Sequence, residues 1–382
     1  MAKKKSKISK SQEKKINKFF IKNPKILIAV VFICIAAFIV YCYLNPDFYN
    51  SLIGKQDLNY SNYSSTTVNE LNDLEIHIID IGQGDAILIK MPSGKNVLID
   101  SGDRNNSVKT KLESYFKSNN IRQIDYLIAT HTDADHIGSM DKVFEVTKVK
   151  KVFRPYVKYA NTSNNTYNFT SDFNQGAITH STATYAKFLN LFKDSADWEF
   201  FTVDSDIVSD TVYNNKTYTC TLDFLTPMDL STLEYKDLND YSPYIMLSYG
   251  DFKMLLTGDA EKEAEKEFIK EYKNSNDVDC DILKVAHHGS ETSSTEDFLN
   301  MVKPEYAVIS CGTGNSYNHP HQVALDNLYN DSTIVYRTDK NGDIVITVKY
   351  NANTDDFEIK LANDDTSNNY KSPLKEQEEN NK

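Results

Sequence analysis

Cysteine is scarce in this sequence, with five in 382 residues. Cys34 and Cys42 lie in one apolar segment, Cys220, Cys280 and Cys311 are scattered, and no CxxC pair occurs. Neither a zinc–cysteine site nor a disulfide framework is indicated, so any metal has to be held by imidazole and carboxylate. Positive charge is scarce beyond residue 25. Residues 1–25 carry ten lysines and one glutamate, whereas the whole chain stands at −12, which leaves −21 on the remainder. A body that acidic is not built to coat nucleic acid by charge, and a polyanionic substrate would have to be handled locally, by metal and a few donors. Charge of either sign is absent from residues 26–44, ILIAVVFICIAAFIVYCYL. The run has no polar face and is about as long as a bilayer-spanning helix needs to be. No small-x-small cleavage site follows it in LNPDFYN, so it reads as an uncleaved transmembrane anchor. The lysines before it would stay in the cytoplasm and place the rest outside, as a single-pass protein of the cell membrane with an extracytoplasmic body. No internal repeat is visible.

Hydrophobic residues make up 40% of the chain, enough for a substantial core. Residues 1–25 form the basic cytoplasmic segment and 26–44 the anchor. Residues 45–73 are rich in Asn, Ser, Tyr and Thr without periodicity and read as a linker; 362–382 read as a disordered tail. The folded body is then 74–361. Apolar, β-branched runs predict strands at Ile76–Ile81, Ala86–Met91 and Asn96–Ile99, broken by Gly82 and Gly84 and then by Pro92, Ser93 and Gly94. Val108, Leu112 and Phe116 predict a helix over 107–118. Further strands are expected near 126–129, 149–153, 198–203, 217–225, 244–249, 253–257, 281–286, 306–310, 333–336, 343–349 and 356–360. Helices are expected near 183–193, 260–272, 295–302 and 321–330. Strands in runs punctuated by single helices imply an α/β body of two packed sheets with helices outside.

Six of the eight histidines fall in three close pairs, His131/His136, His287/His288 and His319/His321. The stretch YLIATHTDADHIG, residues 126–138, begins as a buried strand and delivers His131, Asp133, Asp135 and His136 within six positions. At alternate positions of an extended loop, the first three can turn toward one point. Such a cluster suits zinc, manganese or iron; the plain alternative is a solvated acidic loop. LLTGDAEKE ends a strand at Gly258-Asp259, where Asp259 either faces a metal or caps the next helix. DILKVAHHGSETSSTED repeats the strand–loop–helix build, and one of His287 and His288 can be a ligand while the other donates to substrate. Ser293 and Glu296 fit a capping box there, and the helix-start amides with Ser290 and Thr292 offer a phosphate cradle. AVISCGTGNSYNHPH is a third such unit. His319 and His321 flank Pro320, in a substrate-binding or acid role or merely in a rigid turn. Asp100, closing NVLID, is placed to orient a metal-facing histidine. Asp80 and Asp85 in IDIGQGDA read equally as turn or site residues. His77 is expected on a solvated strand face and His180 in a polar loop.

With these pieces in view, the chain resembles the metallo-β-lactamase superfamily, and within it the C-terminal metallohydrolase domain of ComEC-type competence proteins. The matching pieces are DIGQGDAILI, LIDSGD, ATHTDADHIGS, LLTGDAE, LKVAHHGSETSS and ISCGTGNSYNHPH with YRTDKNG after it, in family order over most of 76–346. The resemblance implies an αβ/βα four-layer sandwich with a two-metal site at the sheet edges. The superfamily loop HxHxDH stands here as HTDADH, with Asp133 in place of the second histidine, which makes manganese as apt as zinc. The third-motif histidine has no counterpart in LNDYS, where Asn239 or Asp240 stands instead. Channel segments of full ComEC proteins are absent from this sequence.

The resulting expectation is a membrane-anchored, two-metal hydrolase, a phosphodiesterase or nuclease. His131 and Asp133 would hold one ion, Asp135, His136 and His287 or His288 the other, and Asp259 would bridge them. The remaining histidine of the pair, or His319, would serve the leaving group. The substrate would be a phosphodiester, DNA among the candidates; protein partners are not legible. The alternatives are a phosphodiesterase for a choline-type or cell-wall ester, a lactone or β-lactam hydrolase, and a non-catalytic surface binding protein with a structural metal.

Overall fold

The computed structural model describes residues 64–163, 167–275, 277–330, 333–351 and 356–362. The expected anchor at 26–44, the basic segment before it and the tail expected at 362–382, apart from Ala362 at the end of the last strand, lie outside the described residues. Among the described residues no helix is long and apolar enough to cross a membrane. The strands in chain order are β1 (Ser64–Thr67), β2 (Leu74–Ile78), β3 (Ile87–Lys90), β4 (Asn96–Ile99), β5 (Gln123–Ile128) and β6 (Lys148–Arg154). They continue with β7 (Val157–Tyr159), β8 (Ile178–His180), β9 (Asp197–Phe200), β10 (Ile207–Tyr213), β11 (Lys216–Phe224) and β12 (Ile245–Tyr249). Last come β13 (Phe252–Leu256), β14 (Ile282–Lys284), β15 (Tyr306–Ile309), β16 (Ile334–Arg337), β17 (Ile344–Asn351) and β18 (Asp356–Ala362).

Two eight-stranded sheets carry the fold, in the orders β18-β17-β2-β3-β4-β5-β6-β9 and β1-β10-β11-β12-β13-β14-β15-β16. In each, an antiparallel half continues into a parallel half: β4 through β6 to β9 in the first, β13 through β16 in the second. Parallel strands covered on both faces read as near-continuous apolar runs, and β15, YAVI, does. The sheets face one another across a core in which Ile76, Ile89 and Ile99 of the first meet Leu222, Leu247, Met254 and Val308 of the second.

Helices cover the outer faces. On the first sheet lie α1 (Asn106–Ser118), α2 (Ala134–Ile137), α3 (Met140–Val146) and α4 (Ala183–Phe192); on the second, α5 (Lys262–Tyr272), α6 (Glu296–Val302) and α7 (Gln322–Asn330). The α1 helix buries Val108, Leu112 and Phe116, one per turn, as its spacing requires. It begins where the Asn105 side chain accepts from Val108 N–H at 2.9 Å. The result is the expected αβ/βα sandwich.

Three local readings change. The stretch read as a linker contains β1, which pairs in parallel with β10. Its partner supplies a free sheet edge, and backbone groups can join an edge without an apolar signature. His77 is buried rather than solvated, because α1 covers that face: its Nδ1 lies 2.8 Å from the Tyr115 hydroxyl. His180 ends β8, half-exposed, against Thr182.

Candidate metal centre

Both parallel halves end their strands at a common edge, and the loops beyond the carboxyl ends supply the polar side chains. β5 leads into Thr130 and His131, and the short α2 carries Asp135 and His136. β13 leads into Gly258-Asp259, and β14 into His287-His288. Gly258 is required here: its φ is +50°, and a Cβ would lie 2.9 Å from the Ser242 side chain and 3.0 Å from Thr130. Gly84 likewise lets its loop lie on the Asp135 carbonyl, which a Cβ would overlap at 2.1 Å.

Asp135, His136, Asp259 and His288 converge. His136 Nε2 lies 3.1 Å from Asp259 Oδ2 and 3.2 Å from His288 Nε2. His288 Nε2 lies 3.3 Å from Asp259 Oδ2 and 3.5 Å from Asp135 Oδ2. The outer nitrogen of each imidazole is occupied. His136 Nδ1 lies 2.8 Å from Asp100 Oδ2, and His288 Nδ1 donates to the Ser310 carbonyl at 2.8 Å. A proton held at Nδ1 leaves Nε2 of each ring free to turn a lone pair inward once a cation displaces its second proton, the arrangement a metal-facing histidine uses. Asp100 is itself fixed by Thr130, whose N–H and hydroxyl donate to it at 2.9 and 2.6 Å.

His131 stands beside this group with Nε2 4.0 Å from Asp259 Oδ2. Burial, then the neighbouring His136, push its imidazole down to about 3, so it is neutral with a free lone pair. Burial alone would raise Asp259, but the His136 and His288 charges hold it well below the carboxylate range. Asp135 is lowered against its burial by His288 and His136. Two buried atoms here, His131 Nε2 and Asp259 Oδ1, have no hydrogen-bond partner. Buried polar atoms are seldom left unpaired. Two imidazole nitrogens facing inward, carboxylate oxygens and two orphaned acceptors are a donor set that fits a divalent cation.

Asp133 precedes α2, partly exposed; burial and the Asp135 charge push its carboxyl up to about 6. It is not among the four converging donors. His287 keeps apart from His288: its Nδ1 lies 2.9 Å from Glu261 Oε1 and 3.2 Å from the Thr292 hydroxyl, and its Nε2 lies 3.9 Å from Asp259 Oδ2. His319 packs against both, with ring centroids 5.3 Å from His287 and 6.2 Å from His288. His321 points elsewhere, bracing a loop through Tyr317 and Glu291. Asp100, His287 and His288 all have positive φ, at 59°, 46° and 55°. Such conformations cost non-glycine residues of order 1–3 kcal/mol each and are held only where surroundings enforce them.

Several sequence readings are corrected. Asp259 does not cap α5; the N-cap position is Glu261, and Asp240 Oδ1 accepts from the N–H groups of Glu261 and Ala264. That occupies Asp240, while Asn239 donates to Glu261, so neither reaches the cluster. Ser242 is the residue of that segment that does: its hydroxyl accepts from Asp259 N–H at 3.1 Å and lies 3.4 Å from His131 Nδ1. The capping box does not form, because Thr295 is the N-cap of α6. The phosphate cradle is filled from within, since the Ser294 and Thr295 N–H groups donate to Glu265. Asp80 accepts from Gly82 in its own turn, whereas Asp85 forms a fully buried ion pair with Lys284 at 2.8 Å, beside His288. Lys284, Glu261 and Ser242 had no signal of their own: a lysine ending an apolar run, a glutamate starting a helix and a serine in a loop are ordinary.

The chain belongs to the metallo-beta-lactamase superfamily, whose family model matches residues 79–313. Fold, family and donor set together make it a metal-dependent hydrolase. It is similar to ComE operon protein 3 of Bacillus subtilis (strain 168), with 29% identity over 297 residues, 73% of this chain and 34% of the relative. Competence protein ComA of Neisseria gonorrhoeae is 25% identical over 273 residues, 71% of this chain and 32% of that protein. The chain thus spans about a third of the length of these relatives. Among solved structures, CmlA, a diiron beta-hydroxylase from Streptomyces venezuelae, aligns with a TM-score of 0.38 and 10% identity, covering 70% of this chain and 53% of that one.

Proposed function

We propose that this protein is a membrane-anchored phosphodiesterase that cleaves nucleic acid through a two-metal centre. The observation that carries the reading is the convergence of Asp135, His136, Asp259 and His288 around buried acceptors that the protein itself leaves unpaired. His131 and Asp133 would hold one ion, Asp135, His136 and His288 the other, and Asp259 would be shared. Zinc and manganese both suit this donor set, and the carboxylate share favours the harder ion. Ions bound there would supply a nucleophile at neutral pH and charge stabilisation for the attacking and leaving oxygens.

The remaining steps fall to the chain. Asp100 and Ser310 hold the His136 and His288 rings in one tautomer. His287 is positioned to donate a proton to the leaving oxygen. Burial lowers its imidazolium, but the hydrogen bond to Glu261 and the Asp259 charge outweigh burial and raise it. With Nδ1–H directed at Glu261, protonated His287 presents Nε2–H toward the cluster. His319 has no proton to give at neutral pH, because burial and then His287 push it down to about 4. Similarity to competence proteins supports a nucleic-acid substrate.

A chelator is expected to abolish hydrolysis of p-nitrophenyl phosphodiesters and single-stranded oligonucleotides by the full-length protein, and Mn²⁺ or Zn²⁺ to restore it. Undiminished turnover in metal-stripped protein would exclude this mechanism. The anchor is proposed on the lysine-flanked apolar run at 26–44. Protease added to intact cells should digest the body; protection in cells with digestion after lysis would reverse the topology.

A further inference from the structure

Tyr317 is 61% exposed, the most exposed large hydrophobic side chain among the described residues. Single exposed aromatics are ordinary on protein surfaces. This one differs in how firmly it is presented and in what lies behind it. Its N–H donates to Asn315 Oδ1 at 3.2 Å, and its carbonyl accepts from His321 Nε2 at 3.1 Å. Asn315 Oδ1 also accepts from His319 N–H at 3.0 Å, and its amide donates to the Gly312 carbonyl at 2.9 Å. The backbone beneath Tyr317 is therefore cross-braced, while its side chain adds little to the packing of the fold.

Behind it the Tyr317 ring lies nearly parallel to His319, with an interplanar angle of 24° and centroids 5.6 Å apart. His319 is buried, 3.5 Å from Gln83 Nε2 at Nδ1, and packs edge-on against His287 at 5.3 Å. The rings thus form steps from an exposed tyrosine to the residue that faces the metal centre. Gly312 keeps this loop tight against the opposing one, since a Cβ there would lie 2.7 Å from Gln83 N.

We propose that Tyr317 is a specificity-determining platform on which one base of a single-stranded nucleic acid stacks while the adjoining phosphodiester sits at the metal centre. The inference rests on the phosphodiesterase reading above and narrows its substrate. The chemistry follows from the acidic body, which cannot grip a polyanion along its length. Every base has a π-face, and a stacked base gives a strand a purchase that needs no basic groove. Bases of a duplex already stack on one another, so the platform selects unpaired strands. A phosphodiester without an aromatic ring gains nothing from it.

The test compares oligo(dT) with an abasic oligomer of equal length and charge, on full-length, manganese-loaded protein in detergent. Cleavage is followed with phosphodiester-linked strands, and binding by anisotropy with phosphorothioate-linked strands. The wild type should favour oligo(dT) over the abasic strand. Tyr317→Ala should reduce that preference on the order of tenfold, the loss expected for one stacked base, and Tyr317→Phe should keep it. An unchanged preference in Tyr317→Ala, or none in the wild type, overturns the platform. If the wild type cleaves oligo(dT) and Tyr317→Ala retains the full preference, the platform fails while the phosphodiesterase reading stands. If binding preference depends on Tyr317 but no strand is cleaved, the platform stands and the phosphodiesterase reading fails.

Discussion

Asp259→Asn is expected to fold, to lose at least one bound metal ion, and to lose turnover by roughly 10³-fold or more, a deficit of ~4 kcal/mol in transition-state stabilisation. The substitution keeps the size of the side chain and removes the negative charge that two cations would share. Folding should survive because the backbone contact of residue 259, its N–H to the Ser242 hydroxyl, is untouched. The first turn of α5 is also untouched, since Asp240 satisfies it. Were the carboxylate only a hydrogen-bond partner for the His136 and His288 rings, the variant would bind metal as before and keep its rate. Bound metal, melting temperature and diester hydrolysis measured on one preparation separate the two cases. A fully active Asp259→Asn protein would remove the shared-carboxylate role and the mechanism built on it.

Lys284→Met should be the most destabilising single change near the site that touches no donor. Lys284 and Asp85 are both buried and 2.8 Å apart, and they join β14 of one sheet to the β2–β3 loop of the other. Removing one partner of such a pair leaves a buried charge uncompensated and costs about 3–5 kcal/mol. For a body of this size that is a fall of roughly 10 °C in melting temperature. The double variant Asp85→Asn/Lys284→Met should recover most of the loss, because both charges go together. Additive losses in the double variant, read by thermal unfolding of all four proteins, would show that the two groups are not coupled.

Much of the fold could be read in advance because its signals are local. The run ahead of His131 announces β5 by composition, and one apolar residue per helical turn at Val108, Leu112 and Phe116 announces α1. Clustering of histidines beside aspartates marked the loops that meet. What could not be read depends on partners far along the chain. Whether Asp85 belonged to a turn or the site turned on Lys284, nearly 200 residues away. The Asp259 cap was decided by Asp240, which satisfies the helix start from another loop. His77 alternates with apolar neighbours as a solvent-facing residue would, and only the docking of α1 buries it. The phosphate cradle at Ser290 and Thr292 was plausible until Glu265 arrived from α5 to take the amides.

The positive φ angles of Asp100, His287 and His288 have a meaning for protein engineering. Glycine or asparagine adopts that backbone more readily than histidine does. A search for thermostable variants guided by backbone preference alone would therefore nominate these positions first. Each gain would be drawn from residues whose side chains face or orient the centre, so stability and turnover would move in opposite directions there. Stabilising changes that spare function are better sought on the outer helices, and these three positions are better held fixed in any library.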